Sequence, residues 1–189
     1  MAVTAIELSG DVALVAVFLL TLNIILGLLL SVRFHPRQHW PHRHVNLFKV
    51  HNWTGYLALA TAILHPSLLL FSTTAGFRPL DLIYPIHSPS QPLENTLGAL
   101  ALYFVALVVV TSYYRVELGR RRWKRLHYCA YAAAALFFVH GLLTDPRLQN
   151  SRFDPLDAEK VFVETCLGLV VAGVTLRIRY AIRRATTQR

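Results

Sequence analysis

Four of the nine histidines lie inside long apolar stretches of this 189-residue sequence. One stretch contains His51 and His65, fourteen positions apart, and another contains His127 and His140, thirteen positions apart. An ionisable side chain in such a setting is costly, and it usually faces the interior of a helix bundle and has a functional role. An imidazole can ligate a metal ion or transfer a proton. Two pairs with nearly equal spacing indicate paired sites, whose chemistry depends on the helices that carry them.

The apolar stretches are long enough to cross a membrane. The sequence is 54% hydrophobic and 15% charged, whereas soluble domains are about one quarter charged. A run of about 20 apolar residues spans the hydrocarbon core of a bilayer. Five such spans are predicted, at about residues 12–32, 47–71, 96–114, 126–143 and 161–182. The sequence therefore predicts an all-α membrane bundle of five helices that forms a single domain over residues 1–189.

The charge distribution predicts the orientation of this bundle. The segments 33–49, 115–125 and 177–189 together hold 15 basic residues and 1 acidic residue, a net charge of +14. The remaining segments hold 4 basic and 9 acidic residues, a net charge of −5, and the two values account for the total of +9. Basic residues concentrate in cytoplasmic loops. We therefore expect the N-terminus outside and the C-terminus in the cytoplasm, and the basic excess is not read as a nucleic-acid site.

This orientation places the four membrane histidines at two levels. The second and fourth spans run in the same direction, so His51 and His127 lie near the cytoplasmic face, and His65 and His140 lie roughly 20 Å further out at about 1.5 Å per residue. One imidazole from each of two helices at each level is the arrangement that holds two b-type haems by bis-histidine ligation. A separation of thirteen positions leaves a side chain about 140° from its starting face in an ideal helix. We therefore expect an irregularity between His127 and His140, as a bend or a local change of winding, with ligands on opposite flanks of one slot as the alternative.

Other chemistries remain possible for these residues. A zinc site is disfavoured because the histidines of one helix are too far apart to converge on one ion, and a proton path would ordinarily use membrane carboxylates. A haem-binding sensor or a haem-handling membrane protein remains open. The other five histidines are in predicted loops, where a solvated side chain is the ordinary interpretation, although the run at 39–44 could bind a metal ion and His44 could contact an acidic group of a cofactor.

The histidine pairs and their neighbours also resemble a known family. The segments HNWTGYLALATAILH (51–65) and RRWKRLHYCAYAAAALFFVH (121–140) resemble the ferric reductase-like transmembrane domain, which ferric reductases and NADPH oxidases share. The resemblance covers roughly residues 15–180 and includes Trp123 in the basic approach to His127. It implies that His51 and His127 ligate an inner haem b and that His65 and His140 ligate an outer one. We call these histidines the inner pair and the outer pair.

The resemblance also implies a function and partners. Oxidases of this family have a further helix before the first haem helix and a cytoplasmic FAD- and NADPH-binding domain, which this sequence lacks. It is similar to stand-alone bacterial members, including the haem-binding membrane subunit of the periplasmic methionine sulfoxide reductase system. We therefore expect a multi-pass protein of the bacterial inner (plasma) membrane, in contact with lipid. A cytoplasmic flavoprotein reductase or a quinol would donate electrons, and ferric iron, oxygen or a periplasmic redox protein would accept them.

Basic residues near each pair are candidates for contacts with the anionic haem propionates. These candidates are Lys49, Lys124 and Arg125 on the inner side and Arg78 and Arg147 on the outer side. Topology alone explains the inner ones equally well. Small residues such as Gly27, Gly55, Gly98 and Gly141 are expected to allow helices or a porphyrin to approach closely. No general base or nucleophile is predicted.

Overall fold

The computed structural model describes residues 4–32, 46–145 and 157–187, and the regular structure of these segments is helical. Two short 3-10 turns lie at Leu69–Phe71 and Pro85–His87. The α-helices are α1 (Ala5–Ser31), α2 (Leu47–Leu68), α3 (Pro79–Ile83), α4 (Pro92–Tyr113), α5 (Arg115–His127), α6 (Cys129–Leu143) and α7 (Ala158–Thr187).

Five helical segments are long and apolar enough to cross a membrane. Three of them are α1, α4 and α7, the fourth is α2 with its 3-10 extension, and the fifth runs through α5 and α6 from Arg115 to Leu143, with a kink at Gly119, whose backbone is not helical. The predicted all-α architecture with five helices suited to cross a membrane is therefore confirmed for the described residues. α1 begins before the apolar run at residue 12, because Thr4 and Glu7 form a capping box that satisfies its first backbone N–H groups.

The helices pack in two neighbouring pairs, α1 against α2 and α4 against α6, while α7 packs against both α1 and α6. The buried core is formed by residues of α4, α6 and α7, namely Ala101, Phe137, Phe138, Val163, Cys166 and Val170. Many large apolar side chains point outward, among them Trp53, Phe71 and Leu176. Such a surface is expected where lipid, rather than water, surrounds the bundle.

The fourth span contains the expected irregularity, and it follows His127 directly. Helix α5 ends at His127, Tyr128 is a turn residue, and α6 begins at Cys129. The N–H of Tyr131 donates to the carbonyl of Tyr128 over three residues at 3.1 Å. A turn closed in this way winds about 120° per residue instead of about 100°. The tighter winding rotates His140 part of the way back toward the face that carries His127.

Candidate functional site

The structure brings the four membrane histidines together as two ring pairs. The ring centroids of His51 and His127 are 6.4 Å apart, with an angle of 70° between the ring planes. The ring centroids of His65 and His140 are also 6.4 Å apart, with an interplanar angle of 58°. Each pair joins one ring from α2 to one ring from the α5–α6 segment, so the inner and outer pairs have the same construction.

The separation of the rings corresponds to two imidazoles on opposite sides of one metal ion. A bond between a metal ion and an imidazole nitrogen is about 2 Å long, so two imidazoles on a common axis through the metal have centroids roughly 6.3 Å apart. Both ring planes contain this axis and can rotate about it, so the interplanar angle is free. The centroid separation of 6.4 Å in both pairs is therefore close to that of two imidazoles that share one metal ion.

Hydrogen bonds to backbone carbonyls fix the orientation of three of the four rings. Nδ1 of His51 donates to the carbonyl of Asn23 at 3.0 Å, and Nδ1 of His65 donates to the carbonyl of Ser9 at 2.9 Å. Nδ1 of His140 donates to the carbonyl of Glu94 at 2.8 Å. Because a carbonyl oxygen only accepts, Nδ1 carries the proton in each ring. The other ring nitrogen, Nε2, then carries a lone pair, as a metal ligand requires.

His127 is held differently. Its Nδ1 lies 3.3 Å from the hydroxyl of Ser112, which also accepts a hydrogen bond of 3.2 Å from Nε1 of Trp123. The indole ring of Trp123 packs beside the imidazole, with centroids 5.1 Å apart. Sequence analysis used Trp123 only as part of a family resemblance, and it did not identify Ser112. In the structure these two side chains together set the position of the fourth ring.

Helix α1 forms the same kind of hydrogen bonds with both histidines of α2. The hydroxyl of Ser9 donates to the backbone carbonyl of His65 at 2.9 Å, and the side-chain amide of Asn23 donates to the backbone carbonyl of His51. In return, each histidine donates from Nδ1 to the backbone of its partner on α1. Ser9 and Asn23 have the same separation along the chain as His51 and His65. Sequence analysis missed this match, although Asn23 is the only amide in the apolar run 12–32.

A cavity opens beside the outer pair, and its lining fits a b-type haem. His65 and His140 both line it, and apolar side chains such as Leu14, Leu102 and Phe137 form much of the remaining wall. A porphyrin needs a flat apolar slot with a ligand on each face. The two imidazoles and the apolar part of the lining suit such a group, and three acidic side chains also line the cavity.

Lys160 lines the same cavity beside the outer pair. It is 6% exposed, and its ammonium donates to the carbonyls of Gly141 at 3.0 Å, of Leu142 at 2.8 Å and of Thr144. Gly141 and Leu142 lie in the last turn of α6, whose carbonyls lack partners within the helix, and Thr144 directly follows the end of α6. The hydroxyl of Thr144 donates to the backbone carbonyl of His140 at 2.7 Å and lies 3.1 Å from its Nδ1. Lys160 thereby stabilises the turn that follows an outer histidine.

The predicted propionate partners that the structure describes all have exposed side chains. Lys49, Lys124 and Arg125 are exposed on α2 and α5, and Lys124 lies over the ring of Tyr128 at 5.9 Å. Arg78 is exposed and precedes α3. Arg147 lies outside the described residues, as do the histidine run at 39–44 and His44 within it.

One arginine of α7 does turn toward the bundle. Nε of Arg177 donates to the hydroxyl of Ser31 at 2.9 Å, and Nη1 donates to the hydroxyl of Tyr131 at 3.3 Å. Ser31 lies one helical turn beyond Gly27, which packs against His51. In the sequence Arg177 is only one of the basic residues predicted on the cytoplasmic side, whereas in the structure its hydrogen bonds connect α7 to α1 and α6.

Five membrane-spanning helices with two interior histidine pairs define a multi-pass membrane protein built around paired imidazole sites. The family model of the ferric reductase like transmembrane component matches residues 12–138, more than half of the chain, and the chain belongs to this family. The matched part contains His51, His65 and His127 and ends just before His140. No curated protein and no solved structure matches the chain.

Proposed function

We propose that this protein transfers electrons across the membrane by means of two b-type haems, one ligated by His51 and His127 and the other by His65 and His140. The observation that carries the proposal is the equal ring separation of 6.4 Å in both pairs. Membership of the ferric reductase-like family supports it, because that family suggests transmembrane electron transfer and its members generally bind haem.

The chain would contribute ligation and orientation. When bound, haem iron supplies one-electron chemistry whose potential depends on its ligands and surroundings. The protein residues hold the imidazoles, fix the proton on Nδ1 and surround the ligands with apolar side chains. A hydrogen bond from Nδ1 to a carbonyl makes the imidazole a stronger ligand. Rings fixed in this way suit a permanently bound group, and this favours electron transfer over a haem-handling function with exchangeable ligands.

The proposed orientation, together with a cytoplasmic donor and an outer acceptor, gives the proposed path of the electrons. The basic segments would face the cytoplasm, with the N-terminus outside and the inner pair near the cytoplasmic surface. A cytoplasmic flavoprotein reductase or a quinol would supply electrons, and ferric iron, oxygen or a periplasmic redox protein would receive them. The setting would be the inner membrane of a bacterium, and residues 1–189 would act as one haem-binding domain.

Electron transfer through purified protein in sealed vesicles tests the proposal. Dithionite is trapped inside, ferricyanide is added outside, and ferricyanide reduction is followed for the wild type, His51→Ala and His140→Ala. We expect rapid reduction with the wild type and the rate of protein-free vesicles with either variant. His87→Ala is the matched control, because His87 is an exposed histidine in a 3-10 turn and is not a proposed ligand, and it should behave as wild type. Equal rates for the wild type and both membrane-histidine variants would contradict the proposal.

A further inference from the structure

One glycine packs directly against a histidine ring in each pair. A Cβ atom added to Gly98 of α4 would lie 2.8 Å from Cε1 of His140 and 3.0 Å from both of its ring nitrogens. A Cβ atom added to Gly27 of α1 would lie 3.3 Å from Cε1 and 3.7 Å from Nδ1 of His51. In both cases the nearest atoms belong to the imidazole, so the missing side chain makes room for a proposed ligand.

The position of each glycine relative to the hydrogen-bond acceptor is also the same. Gly98 is four residues after Glu94, whose carbonyl accepts from His140, and Gly27 is four residues after Asn23, whose carbonyl accepts from His51. In an α-helix the residue four positions later lies one turn along the same face, next to that carbonyl. A side chain there would cover the carbonyl, whereas glycine leaves it open to a neighbouring ring.

We propose that Gly98 and Gly27 are positioning residues for the metal ligands, each forming with the carbonyl four residues earlier a seat for one imidazole. The inference rests on the proposed function, because it assigns a role toward the iron-ligating rings. Four other glycines of the helices do not pack against a histidine ring. Gly55, Gly141 and Gly173 face Asn23, Val163 and Leu28, and at Gly168 nothing lies within 4 Å.

The two seats differ in tightness, and this gives a graded expectation. At Gly98 the three atoms Nδ1, Cε1 and Nε2 of His140 all lie within 3.0 Å of the added Cβ, so the ring itself must move, together with the nitrogen that would bind iron. At Gly27 the contacts of 3.3 and 3.7 Å require a shift of a few tenths of an ångström. An alanine should therefore disturb the outer pair strongly and the inner pair mildly.

The test uses the full-length protein purified from membranes, with haem content, low-temperature EPR of the oxidised protein and redox titration as readouts. Changes around a metal ligand typically weaken metal binding about 10- to 100-fold. We expect the affinity for the outer haem to fall by a factor in that range in Gly98→Ala. Gly27→Ala should retain both haems but shift the low-spin signal of one. Gly168→Ala is the matched control in an open position and should equal the wild type.

The outcomes separate this inference from the proposed function. Two haems with wild-type signals and potentials in both Gly98→Ala and Gly27→Ala would overturn the inference and leave the proposed function intact. If Gly98→Ala fails to accumulate in the membrane, Gly27→Ala decides: a shift of one haem signal supports the inference, and an unchanged spectrum overturns it. A wild-type protein that contains no haem would overturn both.

Discussion

Replacement of Lys160 by methionine is expected to destabilise the end of the fourth span and the outer pair with it. Methionine keeps the length and apolar stem of the side chain but removes the ammonium group. The three carbonyls of Gly141, Leu142 and Thr144 then lose their common donor. Because Thr144 also contacts His140, the loss of this cap reaches a proposed ligand.

The structure supports an estimate of the size of this effect. A hydrogen bond to a charged group contributes about 1.5 to 3 kcal/mol, and a buried carbonyl left without a partner costs about 1 to 3 kcal/mol. The losses at the three carbonyls are not additive, because the last turn of α6 can relax. In addition, the methionine side chain carries no charge that would have to be desolvated. We therefore expect Lys160→Met to lower the free energy of unfolding by about 2 to 4 kcal/mol.

Thermal unfolding of the detergent-solubilised protein, with haem release as a second signal, measures this change. Lys124→Met is the matched control, because Lys124 is exposed on α5, and it should differ from the wild type by less than about 0.5 kcal/mol. The outer haem of Lys160→Met should be released at a lower temperature than the inner one. Equal unfolding temperatures for Lys160→Met and Lys124→Met would refute the reasoning from the three carbonyl contacts.

Three further substitutions test individual contacts. Asn23→Leu removes the donor to the carbonyl of His51 and to the hydroxyl of Thr54, and it should weaken inner-haem retention by about 1 to 2 kcal/mol. Haem titration measures this, and unchanged retention would argue against a role for the hydrogen bonds between α1 and His51. Trp123→Phe keeps an aromatic ring but removes the indole N–H and its hydrogen bond to Ser112, so a redox titration should record a shift of one haem potential without haem loss; identical titrations would count against a role for this hydrogen bond. Gly119 has φ +74° and ψ 153°, a region essentially restricted to glycine, so Gly119→Ala should cost about 1 to 3 kcal/mol in thermal unfolding with unchanged haem spectra; a wild-type unfolding temperature would exclude strain at this kink.

The sequence predicts the five spans well, because crossing a hydrocarbon core requires about 20 apolar residues, and composition alone reveals such runs. The pairing of the rings also follows from sequence, since helical rise converts the two nearly equal histidine spacings into two levels. The irregularity in the fourth span is expected from the spacing of His127 and His140. Its position at Tyr128 is not, because no proline or glycine marks it.

The supporting contacts were beyond sequence reasoning for a physical reason. Three of the four histidines donate to backbone carbonyls, and a carbonyl acceptor has no residue type that could reveal it. Sequence analysis treated Lys160 as one of the few basic residues on the outer side, because a charge count cannot distinguish a lysine facing water from one that caps a helix. Gly27 and Gly98 were recognised as small, but only the structure relates them to individual rings.

The most direct test of the central claim is haem content, with optical and EPR spectra, for the wild type and the four histidine-to-alanine variants. The account predicts two low-spin haems per chain in the wild type. His51→Ala and His127→Ala should lose or alter the same haem, and His65→Ala and His140→Ala should affect the other. Retention of two unaltered low-spin haems by all four variants would contradict the assignment of these histidines as ligands.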